Sequence, residues 1–455
     1  MTYTDTLFLI LFAFIAIVSA ALRPMTRARE WLLIGFSLLV LASWGMFGLA
    51  LFLAIAVANF FAAAAIVRLA GFTRKALLFA TIAADVAALA LFKYSDFLAG
   101  NILSATGWSP PHLALGIPLA ISFYTFHVIS YLVDVHRKVV PEAGFRHYIF
   151  YLSFFPHVIA GPIVRAWQLI PQLHAPRRVR TDLAIGLHFL AVGIFLKSVI
   201  ADNIGAAIDP YWVAGAKATF AERWLLALLY YCQIYGDFAG YSLMALGMAR
   251  LLGYRLPANF RCPMLAASLQ EFWRRWHITF SRWLRDYLYI GLGGSRRNLP
   301  HTSINLFTTM VLGGLWHGAG WGFLLWGAMH GALLVAERIL RRERTRAFHR
   351  PWMTWWIVTQ ICVVLAWVPF RAPDLATVGE FYATMILPTS AHIRPQILEP
   401  MIYAVPVFAH QLSPLLIRRV KRRLLPFALG AGTAVILLLD VVVHSHSRVF
   451  IYFRF

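Results

Sequence analysis

Acidic residues are scarce in this chain: 19 Asp and Glu stand against 41 Lys and Arg in 455 residues, and charged residues of both signs make up only 13%. A soluble domain normally carries about twice that share, so an ordinary soluble protein is excluded. Cysteine is scarcer still. Cys232, Cys262 and Cys362 are widely spaced and form no CxxC pair, which argues against a disulfide framework and a cysteine zinc site. The sequence also lacks a GxSxG elbow, a P-loop and a GxGxxG after a strand, and its histidines lack the carboxylate and cysteine spacing of a metal site. Hydrolase, ATPase and metalloprotease readings thereby lose most of their support, and no metal is expected. No Lys or Arg precedes the first apolar run, Leu7 to Ala21, so it reads as a retained helix rather than a secretory signal.

Apolar residues are what the chain has in quantity, at 60% with a mean hydropathy of +0.69. This is the composition of an all-α polytopic membrane protein, here read as one membrane-embedded domain over residues 1–455 with a core near 113–340. Apolar runs predict spans at 6–22, 31–47, 49–67, 76–92, 113–133, 183–200, 223–249, 351–370, 399–417 and 426–443. The net charge of +22 falls in short runs between these spans rather than on an aromatic-rich stripe. Topology explains it, with no nucleic acid required, and some of the arginines can also meet anionic lipid headgroups or an anionic cytosolic ligand. Basic loops such as Arg23 to Arg29 and Arg68 to Lys75 alternate with basic-poor loops, which places the N-terminus outside.

Three segments do not fit simple crossings. Residues 303–336 have arginines at both ends, Arg296 and Arg297 before and Arg338, Arg341, Arg342, Arg344 and Arg346 after, so the segment is expected to enter and return to the cytosolic side. Its turn falls near Trp316-His317-Gly318, with arms of roughly fifteen residues, or about 22 Å of helix. Residues 147–167 contain Pro156 and Gly161-Pro162 between basic flanks and read as a second re-entrant piece. Residues 271–289 mix Trp273, Trp276 and Trp283 with Arg274, Arg275, Arg282 and Arg285, the pattern of an interfacial helix with aromatics at headgroup depth. Irregular backbone at membrane depth needs protein or water around it, so the three pieces predict a central funnel or tunnel.

Few residues inside this apolar chain can carry chemistry. His317 is first, because an ionisable side chain at membrane depth is a functional candidate, and Gly318 and Gly320 permit close approach of a substrate. A core histidine satisfied by a freed carbonyl is the plainer reading. His330, thirteen residues on, would point about 140° away on one continuous helix and joins His317 only through a break at Gly318 to Gly320. His277 sits in the interfacial segment and is read either as facing inward or as purely interfacial. Asp85, Lys93, Asp134, Asp237 and Asp440 lie in apolar spans, and Asp237 is the most suggestive because Gly236 precedes it and Gly240 follows. With no nucleophile of its own, such a site fits a transferase whose acceptor brings the hydroxyl.

These motifs have a likeness. Trp316-His317-Gly318 and His330-Gly331, with Glu271 to His277 and Trp283 to Tyr289 before them, closely resemble the membrane-bound O-acyltransferases. The branch that O-acetylates alginate and other polysaccharides also resembles the chain at Ile121 to Phe126, Phe154-Phe155-Pro156, Gly161-Pro162-Ile163 and Phe450 to Phe455. Leu243, Gly291 and His157 depart from that branch, where Asp, Pro and Gln are common.

The resemblance implies a helical bundle around a funnel, with His317 as the essential histidine and His277 as its supporting partner. It also implies acetyl-CoA as the donor rather than a tightly bound cofactor, a polysaccharide acceptor, and a separate extracytoplasmic SGNH-type protein that completes the pathway. Arg274, Arg275, Arg296 and Arg297 are candidates for the donor's phosphates, and Trp316, Asp237 and His330 for the rest of the binding site. His317 is expected to line a passage open to both faces and to act as general base, a task suited to an imidazole of ordinary pKa, about 6.5. Two alternatives stay open on sequence alone: transfer of D-alanyl or longer acyl groups to teichoic acid or lipid, and a transporter without chemistry.

Overall fold

The computed structural model describes residues 2–104, 116–159, 161–174, 180–343, 352–387, 390–417 and 432. The expected span at 426–443, with Asp440, the terminal run Phe450 to Phe455, Arg344 and Arg346, and the side chains of Arg341 and Arg342, lies outside the described residues. Among the described residues every regular element is helical. The chain forms two compact units, Met1–Leu190 with Met244–Pro257 and Ala191–Leu243 with Ala258–Phe455.

The first unit holds α1 (Thr6–Ala21), α2 (Thr26–Ala42), α3 (Met46–Arg68), α4 (Gly71–Ser104) and α5 (Ile121–His136). Short pieces follow: α6 (Phe145–Ser153), α7 (Phe155–Val158) and α8 (Ala166–Leu169), then the start of α9 (Arg180–Ile194). The expected span at 113–133 begins later than its apolar run because Pro118 and a left-handed Ala120 (φ 63°) precede the first turn of α5. The segment expected to be broken is broken: α6 stops at Ser153, and Pro156 takes the first turn of α7, where its missing N–H costs nothing. One buried polar pair in this unit joins α3 to α4, where Asn59 Nδ2 donates to Asp85 Oδ1 at 2.8 Å.

In the second unit the chain runs on from α9 through a π-helical stretch, Phe195–Ala201, into α10 (Asp202–Ile208). Then come α11 (Phe220–Leu251, its last turns in the first unit), α12 (Leu269–Arg275), α13 (Ile278–Trp283), α14 (Leu299–His317), α15 (Trp321–Glu343), α16 (Trp352–Arg371), α17 (Leu375–Ile386), α18 (Pro395–Leu398) and α19 (Met401–Ile417). Between the expected spans 351–370 and 399–417 the chain also forms α17, whose first turn is capped by Asp374 accepting the Thr377 N–H at 2.7 Å. Among the described residues, five helical stretches are long and apolar enough to cross a membrane: Met46–Arg68, Gly71–Asn101, Leu183–Tyr211, Trp321–Leu340 and Trp352–Arg371.

Two expectations for this unit need correction. The arms around His317 are 19 and 23 residues, not fifteen, and Trp321–Leu340 within α15 is long enough to cross by itself. Apolarity fades before the helix ends, because the backbone stays hydrogen-bonded while polar caps and long basic side chains reach water. Residues 271–289 are not one interfacial helix either. They form α12, α13 and a π-helical stretch, Leu284–Tyr289, and the tryptophans are packed inside: Trp273, Trp276 and Trp283 are all buried. Ring on ring packing won over the interface, with Trp276 stacked on Phe272 at 5.6 Å and tilted against Trp367 at 5.0 Å.

Candidate active site

α14 and α15 form a helical hairpin held backbone to backbone. A Cβ on Gly314 would lie 2.2 Å from the Phe323 carbonyl oxygen, and one on Gly327 would lie 2.5 Å from that of Met310. Only glycine permits so close an approach, which is how helices without a hydrophobic driving force gain packing. α14 starts at an N-cap, where Asn298 Oδ1 accepts the His301 N–H at 3.2 Å, and it stops at Gly318, whose backbone is extended. His317 is thus the last residue of α14, at the break where the sequence places the turn.

The ring of His317 is enclosed by aromatic side chains, with centroids 5.0 Å from Trp326, 5.2 Å from Phe370 and 5.3 Å from Phe280. His277 stands across from it at 6.5 Å. Nothing in the sequence spacing predicts that approach. It follows from the second helix break, where His277 takes a left-handed backbone (φ 40°, ψ 53°) just before α13. That conformation costs a non-glycine residue roughly 1–2 kcal/mol. It also turns the ring inward, against Phe238 at 4.6 Å and Phe280 at 4.8 Å.

His277 is fully buried, and neither of its ring nitrogens has a hydrogen-bond partner among the described residues. Buried polar groups are nearly always satisfied, so an orphaned imidazole beside a second one marks a place where a ligand or water completes the bonding. His317 itself is only 3% exposed. The expected passage open to both faces is therefore closed at this ring by its aromatic neighbours.

His330 is separated from His317 by Trp326, whose ring lies 4.9 Å from the one and 5.0 Å from the other. It packs on Phe272 and Trp273 instead. Trp316 is buried and packs tilted against Phe280 at 4.8 Å, so it builds the wall of the site. Asp237 is drawn into a buried ion cluster: Lys197 Nζ lies 2.8 Å from Asp237 Oδ1 and 2.6 Å from Asp202 Oδ1. Its carboxylate answers a lysine in the π-helical stretch, which explains how charge is tolerated there. Sequence reading missed Lys197, although a lone lysine in the apolar run Gly193 to Ile200 was the available signal.

A pocket of about 760 Å³ opens beside these breaks, lined by Arg261, Arg274, Arg282, Arg285, Arg338 and Glu337 on its polar side and by Trp273, Ile278, Leu284 and Met310 on its apolar side. Neither histidine ring lines it. The pocket reaches their neighbours, since Ile278 follows His277, Met310 is two turns before His317 on α14, and Trp273 packs on His330. Of the four arginines expected to hold phosphates, only Arg274 is in this wall. Arg275 is committed elsewhere, with Nη2 2.5 Å from Glu271 Oε1 and Nη1 donating to the Cys262 carbonyl. Arg296 and Arg297 are exposed beyond Ser295, the last lining residue on that side. Arg261, Arg282, Arg285 and Arg338 were not singled out in the sequence for this role, though Arg282 and Arg285 share a helix face by their spacing of three. A hydrogen bond from Arg285 Nε to Asp286 Oδ1 at 2.6 Å raises the pKa of that guanidinium, leaving it fixed in its charged form.

A buried pair of imidazoles at two helix breaks, with an arginine-rich pocket alongside, can take a proton from a hydroxyl and hold a phosphorylated carrier. Comparison with known proteins points the same way. Residues 36–369 match the membrane-bound O-acyltransferase family, abbreviated MBOAT. The chain is 38% identical to the probable alginate O-acetylase AlgI of Azotobacter vinelandii over 85% of its length and 78% of that protein's. It is similarly 38% identical to the AlgI of Pseudomonas aeruginosa, over 79% of the chain and 70% of the relative. A peptidoglycan O-acetyltransferase of Helicobacter pylori is 37% identical, covering 76% and 71%. The chain belongs to the membrane-bound O-acyltransferase family. It is an acyltransferase and a multi-pass protein of the bacterial inner membrane.

Proposed function

We propose that this enzyme moves an acetyl group from cytosolic acetyl-CoA to a hydroxyl of an extracytoplasmic polysaccharide, directly or through an SGNH-type partner protein. The observation that carries the reading is the approach of His277 to His317 at 6.5 Å, with the His277 nitrogens left unpartnered. Relatives named for alginate and peptidoglycan O-acetylation support the acetyl group and the glycan acceptor. The donor's phosphates would sit against Arg261, Arg274, Arg282 and Arg338, whose planar guanidiniums suit phosphate oxygens.

In this scheme His317 takes the acceptor hydroxyl's proton as the oxygen bonds to the thioester carbonyl carbon. The C–S bond then breaks, and the proton passes to the departing thiolate, so the imidazole is regenerated. His277 donates to or orients the reacting oxygen. General base catalysis of this kind supplies about 10²- to 10⁴-fold, and positioning in a dry site supplies much of the rest. Because the His317 ring is 3% exposed, the thioester reaches it only when the wall of Phe280, Trp316 and Trp326 parts, a side-chain gating movement.

The test is labelled acetyl-CoA given to membranes containing the full chain, with the envelope glycan recovered and its esters identified by mass. Acetyl esters that require His317 support the reading. Unlabelled glycan, or a missing D-alanyl or long-chain ester with acetyl unchanged in cells lacking the gene, would overturn it.

A further inference from the structure

We infer that Asn259 is the positioning residue that fixes the His277 imidazole for the transfer, an inference that rests on the role given to His277 above. Asn259 lies in the chain between α11 and α12 and is 1% exposed. Its main-chain carbonyl accepts the Ile278 N–H at 2.9 Å. Its side-chain oxygen accepts the Thr279 hydroxyl at 2.6 Å and the Thr279 N–H at 3.4 Å, and its side-chain nitrogen donates to Ser242 Oγ of α11 at 3.1 Å. Two residues on, the Arg261 N–H donates to the Arg275 carbonyl at 2.9 Å. The stretch 259–261 therefore grips the chain on both sides of His277.

That grip bears on two features of His277, whose own carbonyl also accepts the Ser281 N–H at 3.0 Å and the Ser281 hydroxyl at 3.2 Å. A residue with a Cβ stays in the left-handed region only where its surroundings over-determine it, and such positions cluster at functional sites. The His277 backbone is there at φ 40°, held from within α13 by Ser281 and from outside it by the contacts to Ile278, Thr279 and Arg275. Moreover, the ring has no polar anchor of its own among the described residues; its contacts are aromatic, to Phe238 and Phe280 among others. Its direction is consequently set through the backbone, and Asn259 is the side chain that ties that backbone to the rest of the unit. Ser242 ties this clamp to α11, so the imidazole is referenced to the helix that also carries Phe238. No sequence motif announces the arrangement, since Asn259 is a lone amide in a loop.

The experiment places Asn259→Ala and Thr279→Val in the full chain, each with His277 intact and with His277→Ala, and follows acetyl incorporation from acetyl-CoA by native membranes across donor concentrations. Asn259→Ala is expected to lower kcat about 10²-fold, the usual consequence of displacing a catalytic group by about an ångström, with the donor KM within about twofold. In the His277→Ala background the same substitution is expected to cost less than about twofold, because residues acting through one group do not add. Thr279→Val keeps the packing and removes one bond to the clamp, so a loss of about fivefold in kcat is expected, again only when His277 is present. Should Asn259→Ala fail to fold, Thr279→Val decides. Equal losses in both backgrounds, or a wild-type rate for Thr279→Val, would overturn the inference and leave the role of His277 standing. A wild-type rate for His277→Ala alone would remove that role and this inference with it.

Discussion

In the first unit, His127 and His157 meet edge to face with ring centroids 4.7 Å apart. In the second, His277 and His317 stand 6.5 Å apart and tilted. Both pairs are buried, His127, His157 and His277 completely. Burial therefore does not distinguish a reacting imidazole from a structural one. What differs is how one ring of each pair is held and what adjoins it, since by geometry the nitrogens of His157, like those of His277, meet no hydrogen-bond partner among the described residues. His127 Nε2 accepts the Val164 N–H at 3.2 Å, and the Tyr151 hydroxyl bonds to the Val164 carbonyl at 3.1 Å, so that imidazole is a strut between α5 and the strand-like run before α8. His277 has no such commitment, sits on a left-handed turn and adjoins a pocket with five arginines in its wall. A polar group already used by the backbone stabilises the fold, whereas one left unused beside an arginine-rich pocket is available to a substrate.

That contrast can be broken most sharply at His317. Replacing His317 with Asn keeps much of its volume and is expected to lower acetyl incorporation by about 10²- to 10⁴-fold while the purified protein still elutes as a folded species. Activity that survives the change would show that the second pair is as structural as the first. The reverse experiment uses His127→Leu, which strands the Val164 N–H. It should lower stability in detergent by about 1–3 kcal/mol, seen as a lower unfolding temperature, and leave activity per folded molecule within about threefold. Loss of transfer without loss of folding would make the first pair functional and dissolve the contrast. The smallest effect concerns the pocket. Arg274→Ala should raise the donor KM about tenfold, the loss of one charge-assisted bond, whereas Arg275→Ala, paired to Glu271, should leave that KM unchanged. Equal shifts from the two would mean that the pocket does not hold the donor's phosphates.

Much of this was legible along the chain. The apolar runs placed α1 to α3, α9, α11, α16 and α19 within several residues, because a helix in lipid must be apolar for about its whole length, while α4 continues to Ser104, well past the expected end at 92. Pro156 and Gly318 marked their breaks for the same local reason: each changes what the backbone can do. His317 emerged from rarity, an ionisable group in an apolar stretch. Where the reading failed, contacts between distant residues were in charge. Trp273, Trp276 and Trp283 were read as interfacial from their mixture with arginines, yet Phe272, Trp326 and Trp367 supply a packed interior that takes them in. Arg275 looked equivalent to Arg274 until Glu271, one helical turn away, claimed it.

By itself, then, the amino-acid order determined that this is an α-helical membrane protein, that its helices break near Pro156 and Gly318 and that His317 falls at the second of these breaks, since hydropathy, proline, glycine and charge act over a few residues. Tertiary structure alone decided that His277 faces His317, that Trp326 keeps His330 apart, that Lys197 claims Asp237 and that Asn259 grips the turn at His277. Such pairings depend on how far two helices approach and how each is rotated about its axis. Those quantities are fixed by packing between segments that lie tens of residues apart.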